Sequence, residues 1–112
     1  MELIDRAGVL ASADEPTYVE NLRVPDLSLG TYSLPAGSVD DQEPHTEDEV
    51  YVVTQGRGKF RGGDAVVDVG PGSVLFVPAL EEHRFLDIAE DLVALVFFGP
   101  AEYARATTPP TD

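Results

Sequence analysis

The sequence predicts an all-β fold, a barrel or sandwich of about eight short antiparallel strands. Two observations carry this. Short runs rich in β-branched and aromatic residues recur along the chain, each closed by a turn containing Gly or Pro. No segment sustains a helical apolar repeat long enough to make a convincing helix.

The elements follow in order. Residues 1–16 are unpatterned and read as an N-terminal arm. Tyr18–Val24 and Leu27–Leu34 alternate between apolar and polar residues, as half-buried strands do, with Pro25-Asp26 between them. Pro35-Ala36-Gly37 ends the second run, and a polar, acidic loop from Ser38 to Gln42 follows. Val50–Val53 is strongly β-prone. Gln55-Gly56-Arg57-Gly58 turns into Lys59-Phe60-Arg61, and Gly62-Gly63-Asp64 reads as a tight hairpin turn before Ala65–Val69. Gly70-Pro71-Gly72 precedes the strand Val74–Val77, which Pro78 closes. His83–Ile88 and Leu92–Phe98 complete the set. Beyond Pro100 the sequence predicts one helical turn around Glu102–Arg105 and a frayed tail over Thr107–Asp112.

A chain of 112 residues points to one domain spanning 1–112. Folding at this size removes roughly two-thirds of the extended-chain surface from water, enough for one core. With no cysteine, disulfides, thiolate metal sites and a cysteine nucleophile are excluded, so any metal must be held by nitrogen and oxygen. The net charge is −14, with seven Lys plus Arg against 21 Asp plus Glu. That balance argues against nucleic acid and anionic membranes as partners. It fits either a protein kept soluble by self-repulsion or one adapted to a salty cytoplasm. Met1-Glu2-Leu3-Ile4-Asp5 carries acid where a secretory leader needs base, and the longest apolar run, Leu92–Phe98, is too short to span a bilayer. The expected location is cytoplasmic.

The only histidines are His45 and His83, and both stand beside carboxylates on strand-like segments. Imidazole and carboxylate together suit first-row transition metals. On an extended segment residues two apart share a face. Glu43, His45, Glu47, Glu49 and Tyr51 therefore point one way, with Val50 and Val52 on the other side. Both faces then need cover, from an N-terminal strand or from a second subunit in a homodimer. His83, Phe85 and Asp87 share parity in the second segment, so Phe85 would supply an apolar wall beside His83. Tyr51, Phe76 and Phe85 are candidate pocket residues, and core packing is the competing reading for each. Glu47 and Asp48 read as solvated loop residues. Phosphate-loop, EF-hand and serine-hydrolase motifs are absent.

The same residues carry a family resemblance. Gly37 with five residues to Glu43, His45 with three residues to Glu49, and six more to Gly56 match the first motif of the cupins. Gly72, Pro78 and His83 match the second, with Leu80 where that motif has glycine and Asp87 where it has asparagine. The chain resembles a small single-domain cupin over residues 37–87. The resemblance implies a double-stranded β-helix, or jelly-roll, barrel. It also implies a divalent transition metal (iron, manganese, nickel or zinc) on His45, Glu49 and His83. Glu43 replaces the family's first histidine as a further ligand, and Gln42 is a competing oxygen donor. Glu49 or Glu43, displaced from the ion, would serve as general base. The implied activity is that of a metalloenzyme of dioxygenase, lyase or isomerase type acting on a small oxygen-rich metabolite. The alternative is a non-catalytic module that binds or senses a small-molecule ligand.

Overall fold

The computed structural model describes residues 1–106, so the tail over 107–112 lies outside the described residues. Eight strands form: β1 (Thr17–Val24), β2 (Leu27–Leu34), β3 (Asp48–Gln55), β4 (Gly58–Gly62), β5 (Ala65–Val69), β6 (Val74–Val77), β7 (His83–Leu86) and β8 (Leu92–Gly99). Their bounds follow the alternation and turn signals closely. The segment around Glu102–Arg105 is a turn rather than a helix, and no helix occurs among the described residues.

Two antiparallel sheets face each other. One runs β1-β2-β8-β3-β6 and the other β5-β4-β7. Spatial neighbours such as β2 and β8, or β3 and β6, are distant in sequence, which is the mark of a jelly roll. One continuous core joins the sheets, with Leu34, Tyr51, Val53, Leu92, Val96 and Phe98 from the large sheet meeting Phe60, Val69 and Phe85 from the small one. Each such side chain taken fully out of water contributes about 1.5–3 kcal/mol before entropy is counted. The alternation along β3 is what places Glu49, Tyr51 and Val53 inward, and Val50 and Val52 outward.

The arm of residues 1–16 does cover part of the outer face. Gly8 N donates to Thr31 Oγ1 at 2.9 Å and Ala11 N donates to Ser33 Oγ at 3.0 Å, so these outward hydroxyls of β2 are buried yet satisfied. The Thr54 hydroxyl donates to Gly8 O at 3.0 Å and carries the arm across to β3. The arm does not reach β6, where Val74 and Phe76 stay exposed.

Candidate metal centre

One end of the core is polar. The loop between β2 and β3 is irregular, but the buried Asp40 anchors it. Its carboxylate accepts from Tyr32 OH at 2.7 Å, Phe85 N at 2.8 Å and Gln42 Nε2 at 2.7 Å, tying the loop to β2 and β7. His45 lies at the end of this loop, and its carbonyl accepts from Leu80 N at 2.8 Å. Glu49 and Tyr51 follow on the inner face of β3, and His83 opens β7.

These elements bring His45, Glu49 and His83 together, with one ligand atom of each lying within 4.8 Å of the others. Glu49 Oε1 is 3.0 Å from His83 Nε2 and 3.8 Å from His45 Nδ1. All three residues are buried. His83 Nδ1 donates to the Glu81 carbonyl at 2.8 Å, which fixes the ring and aims Nε2 at the cluster. Tyr51 OH donates to Gln42 Oε1 at 2.9 Å, and its oxygen lies 3.1 Å from His83 Nε2. His45 Nε2 faces Glu102 Oε2 at 3.1 Å. His45 Nδ1 and both Glu49 oxygens are buried without any hydrogen-bond partner.

A cavity of about 360 Å³ opens beside the cluster. All four tyrosines of the chain, Tyr18, Tyr32, Tyr51 and Tyr103, line it, and no arginine or lysine does. Tyr18 reaches it because Gly30 is bare: a Cβ on Gly30 would lie 2.0 Å from the Tyr18 hydroxyl oxygen. Tyr103 comes from the turn after β8 and stacks on His45 with 5.9 Å between ring centroids.

The other expected site residues fall elsewhere. Glu43 is exposed and does not join the cluster. Shared parity requires an extended backbone, and β3 starts only at Asp48. Phe76 points out from β6 with 64% of its surface exposed, away from the cavity. Phe85 is core, packed edge-on against Tyr51 and Phe60 rather than lining the cavity. Gln42 lines the cavity through its contact with Tyr51. Glu47 is not a solvated loop residue. It is 1% exposed, and its carboxylate accepts Tyr103 N at 2.6 Å, Arg105 N at 2.9 Å and the Thr46 hydroxyl. Glu102 and Tyr103 escaped the sequence reading because they follow the last strand and no motif spacing ties them to either histidine.

Burial holds the His45 pKa below the ordinary imidazole value, against the pull of Glu49. Burial also opposes charge on His83, but its short contact with Glu49 and the Glu81 carbonyl outweigh it, and that pKa is raised. Burial and the charges of Glu20 and Glu49 push the Glu102 carboxyl up to about 7.

The donor set fits a divalent ion. Two ligand atoms at about 2.1 Å from one cation sit roughly 3.0–3.4 Å apart; the Glu49–His83 contact of 3.0 Å meets that span and the Glu49–His45 contact of 3.8 Å exceeds it slightly. The buried atoms without hydrogen-bond partners are an imidazole nitrogen and a carboxylate, the donors such an ion takes. A buried polar atom left unpaired costs about 1–3 kcal/mol, more when charged, and a bound cation removes that cost. Three such ligands would leave positions of a bound ion free toward the cavity, whereas a closed structural site fills all four.

Known proteins share this architecture. The solved structure of KdgF from Halomonas sp. matches with a TM-score of 0.70 at 20% identity, over 76% of this chain and 78% of that one. The DMSP lyase DddQ from Ruegeria pomeroyi matches with a TM-score of 0.73 at 19% identity, over 99% of this chain and 58% of that one. At such identities the likeness concerns fold alone. A Streptomyces coelicolor protein, itself uncharacterised, is 41% identical over 99 residues, 88% of this chain and 94% of its own. The family described as the cupin domain matches residues 30–98, more than half of the chain. With both cupin motifs, the double-stranded β-helix and this match in agreement, the chain belongs to the cupins as a small cupin domain.

Proposed function

We propose that this cupin holds one divalent transition ion (iron, manganese, nickel or zinc) on His45, Glu49 and His83, and acts as a metalloenzyme on a small oxygen-rich metabolite. The observation that carries the reading is the buried set of His45 Nδ1 and the two Glu49 oxygens, which no hydrogen bond of good geometry satisfies although Glu49 Oε1 lies 3.0 Å from His83 Nε2, beside an open cavity. When bound, the ion supplies Lewis-acid polarisation and a template for a ligand oxygen. The chain's own groups do the rest. Tyr51 and Gln42 form a fixed polar pair beside His83. Tyr18 and Tyr103 present phenols to the cavity. With no cationic side chain lining the cavity, only the ion would meet the charge of an acidic ligand. The reaction class is dioxygenase, lyase or isomerase. Fold does not choose among them.

Glu43 lies outside the cluster, and this favours a second reading. A site with three ligands where the family motif offers four would hold metal less firmly and bind or sense a metabolite without turning it over. The described residues pack around one core, which supports a single domain. No helix among the described residues is long and apolar enough to cross a membrane, which accords with a cytoplasmic setting. The exposed outer face of the large sheet supports a homodimer.

Metal content of untagged protein, followed by titration with the four ions under chelator competition, tests the central reading. Saturation at about 100 Kd adds about 2.7 kcal/mol, a melting rise on the order of 10 °C or more. His45→Ala and His83→Ala should each abolish that rise. Protein that purifies empty and takes up none of the four ions would overturn the metal site. For the loaded protein, oxygen uptake with catechols, flavonols and keto acids tests the dioxygenase class.

A further inference from the structure

Tyr103 stands in the turn after β8 with its backbone at φ 64°, in the left-handed region. For a bulky residue that conformation is an outlier. The surrounding contacts hold it there. The buried Glu47 carboxylate accepts from Tyr103 N at 2.6 Å and from Arg105 N at 2.9 Å, as an anion does among the amides around a left-handed residue. One residue earlier, Glu102 N donates to Ser28 Oγ at 2.9 Å and Arg23 Nη2 donates to Glu102 O at 3.0 Å. Glycine would make the same turn without strain, so what the strain secures is the tyrosine side chain. That side chain stacks on His45 and lines the cavity. Strain concentrated beside a cavity points to a role there.

The four tyrosines of the cavity divide into two pairs. Tyr32 OH donates to Asp40 and Tyr51 OH donates to Gln42, so both of these protons are spent within the protein. Among the described residues, nothing hydrogen-bonds the hydroxyl of Tyr18 or of Tyr103. Tyr18 is paired with Tyr32 across the β1–β2 ladder, and its ring leans over the bare Gly30 toward the cavity. Tyr18 is 37% exposed and Tyr103 40%, which puts both at the mouth, between the cavity and solvent. A phenol with no internal partner is free to donate to a ligand oxygen. With no arginine or lysine lining the cavity, the oxygen it meets is uncharged.

We infer that Tyr18 and Tyr103 are the specificity-determining pair of this site: their free phenols donate to uncharged oxygens on the part of a ligand that projects from the cavity toward solvent. Glu47 is the positioning residue that holds Tyr103 for this. The inner end of that ligand rests on the metal reading above; the outer end rests on the two tyrosines alone.

Two hydroxamates separate the inner end from the outer. Acetohydroxamate carries the metal-binding group alone; para-hydroxybenzohydroxamate adds a ring with an uncharged oxygen at its far end. In calorimetry on zinc-loaded protein, Tyr18→Phe and Tyr103→Phe should each weaken para-hydroxybenzohydroxamate by about 3–10-fold and leave acetohydroxamate unchanged. Both variants should melt with wild type, because neither hydroxyl has an internal partner to lose. In metal-free protein labelled with ¹³Cζ-tyrosine, millimolar para-hydroxybenzamide has the same far end without the metal-binding group. It should shift the signals of Tyr18 and Tyr103 and leave Tyr32 and Tyr51 nearly in place. This arm decides the role of the pair even where acetohydroxamate fails to bind wild type, a result that counts against the metal alone. Unshifted Tyr18 and Tyr103 signals, or phenylalanine variants that bind both hydroxamates as wild type does, would each overturn the assignment. Variants that melt several degrees lower would make the hydroxyls structural and overturn it as well.

Discussion

Leu80 holds its backbone at φ 70°, in the left-handed region. A residue with a Cβ there costs about 1–2 kcal/mol. The cupin motif has glycine at this position. Asp87, where the motif has asparagine, is also left-handed at φ 48°, as are the motif glycines Gly37, Gly56 and Gly72. At Gly56 the demand is double, because a Cβ would lie 2.3 Å from the Asp91 carbonyl oxygen. These signature positions that hold no metal thus record backbone geometry. The motif spacing made them legible as positions, but the sequence alone did not show the dihedral behind them. Leu80→Gly should relieve the strain and lose little burial, since Leu80 is 68% exposed. Against this stands the extra freedom that glycine has when unfolded, about 0.5–1 kcal/mol. The expected net is stabilisation by about 0.5–1 kcal/mol, read from the denaturation midpoint at unchanged slope. A less stable variant would show that the leucine side chain packs more than its exposure indicates.

Among the elements, the turn after β8 is the one that local pattern could not place. Alternation found all eight strands, because each needs only its own few residues to declare an inner and an outer face. It also put Glu49 and Tyr51 inward, and both are buried. His45 and Glu47 are buried too, but they precede β3, where parity does not account for them, and Glu47 reads from the sequence as a solvated loop residue. Alternation failed at Glu43, where the chain is loop and parity has no meaning. It could not show why Glu47 is inward. The partners of that carboxylate, Tyr103 N and Arg105 N, are 56 and 58 residues away. Hydrogen bonds to a charged group contribute about 1.5–3 kcal/mol each, with strong context dependence. Glu47→Ala should therefore cost about 2–4 kcal/mol and free the amides of Tyr103 and Arg105 to exchange with solvent. Glu47→Gln retains one acceptor and should lose less. Hydrogen exchange resolved at those two amides, beside a denaturation curve, checks both expectations. Exchange as slow in Glu47→Ala as in wild type would mean that other contacts hold the turn.

Over the whole molecule, the outer face of the large sheet is unevenly covered. The arm seals the part over Thr31, Ser33 and Thr54. Beyond it, Val50 pairs across the ladder with Phe76 and Phe97, and Val52 with Val74 and Leu95. Val74 and Phe76 are each 64% exposed and Phe97 is 37% exposed, so these side chains form one apolar patch reaching the free edge of β6. A contiguous patch of this kind marks an interaction surface more often than a plain solvated face. A second copy of this chain is the simplest occupant, but each copy carries a net charge of −14. Association must therefore work against like-charge repulsion, which salt screens: the Debye length falls from about 30 Å at 0.01 M to about 8 Å at 0.15 M. Dimerisation through this face should tighten as salt rises, the reverse of an interface made of ion pairs. Sedimentation velocity at micromolar protein in 0.15 M salt should show a dimer that weakens in 0.01 M salt. Phe76→Glu should give a monomer with nearly unchanged melting, because the replaced side chain is mostly in solvent and outside the core. A wild-type monomer at both salt concentrations would remove the dimer. A dimer that survives Phe76→Glu would move the contact to another surface.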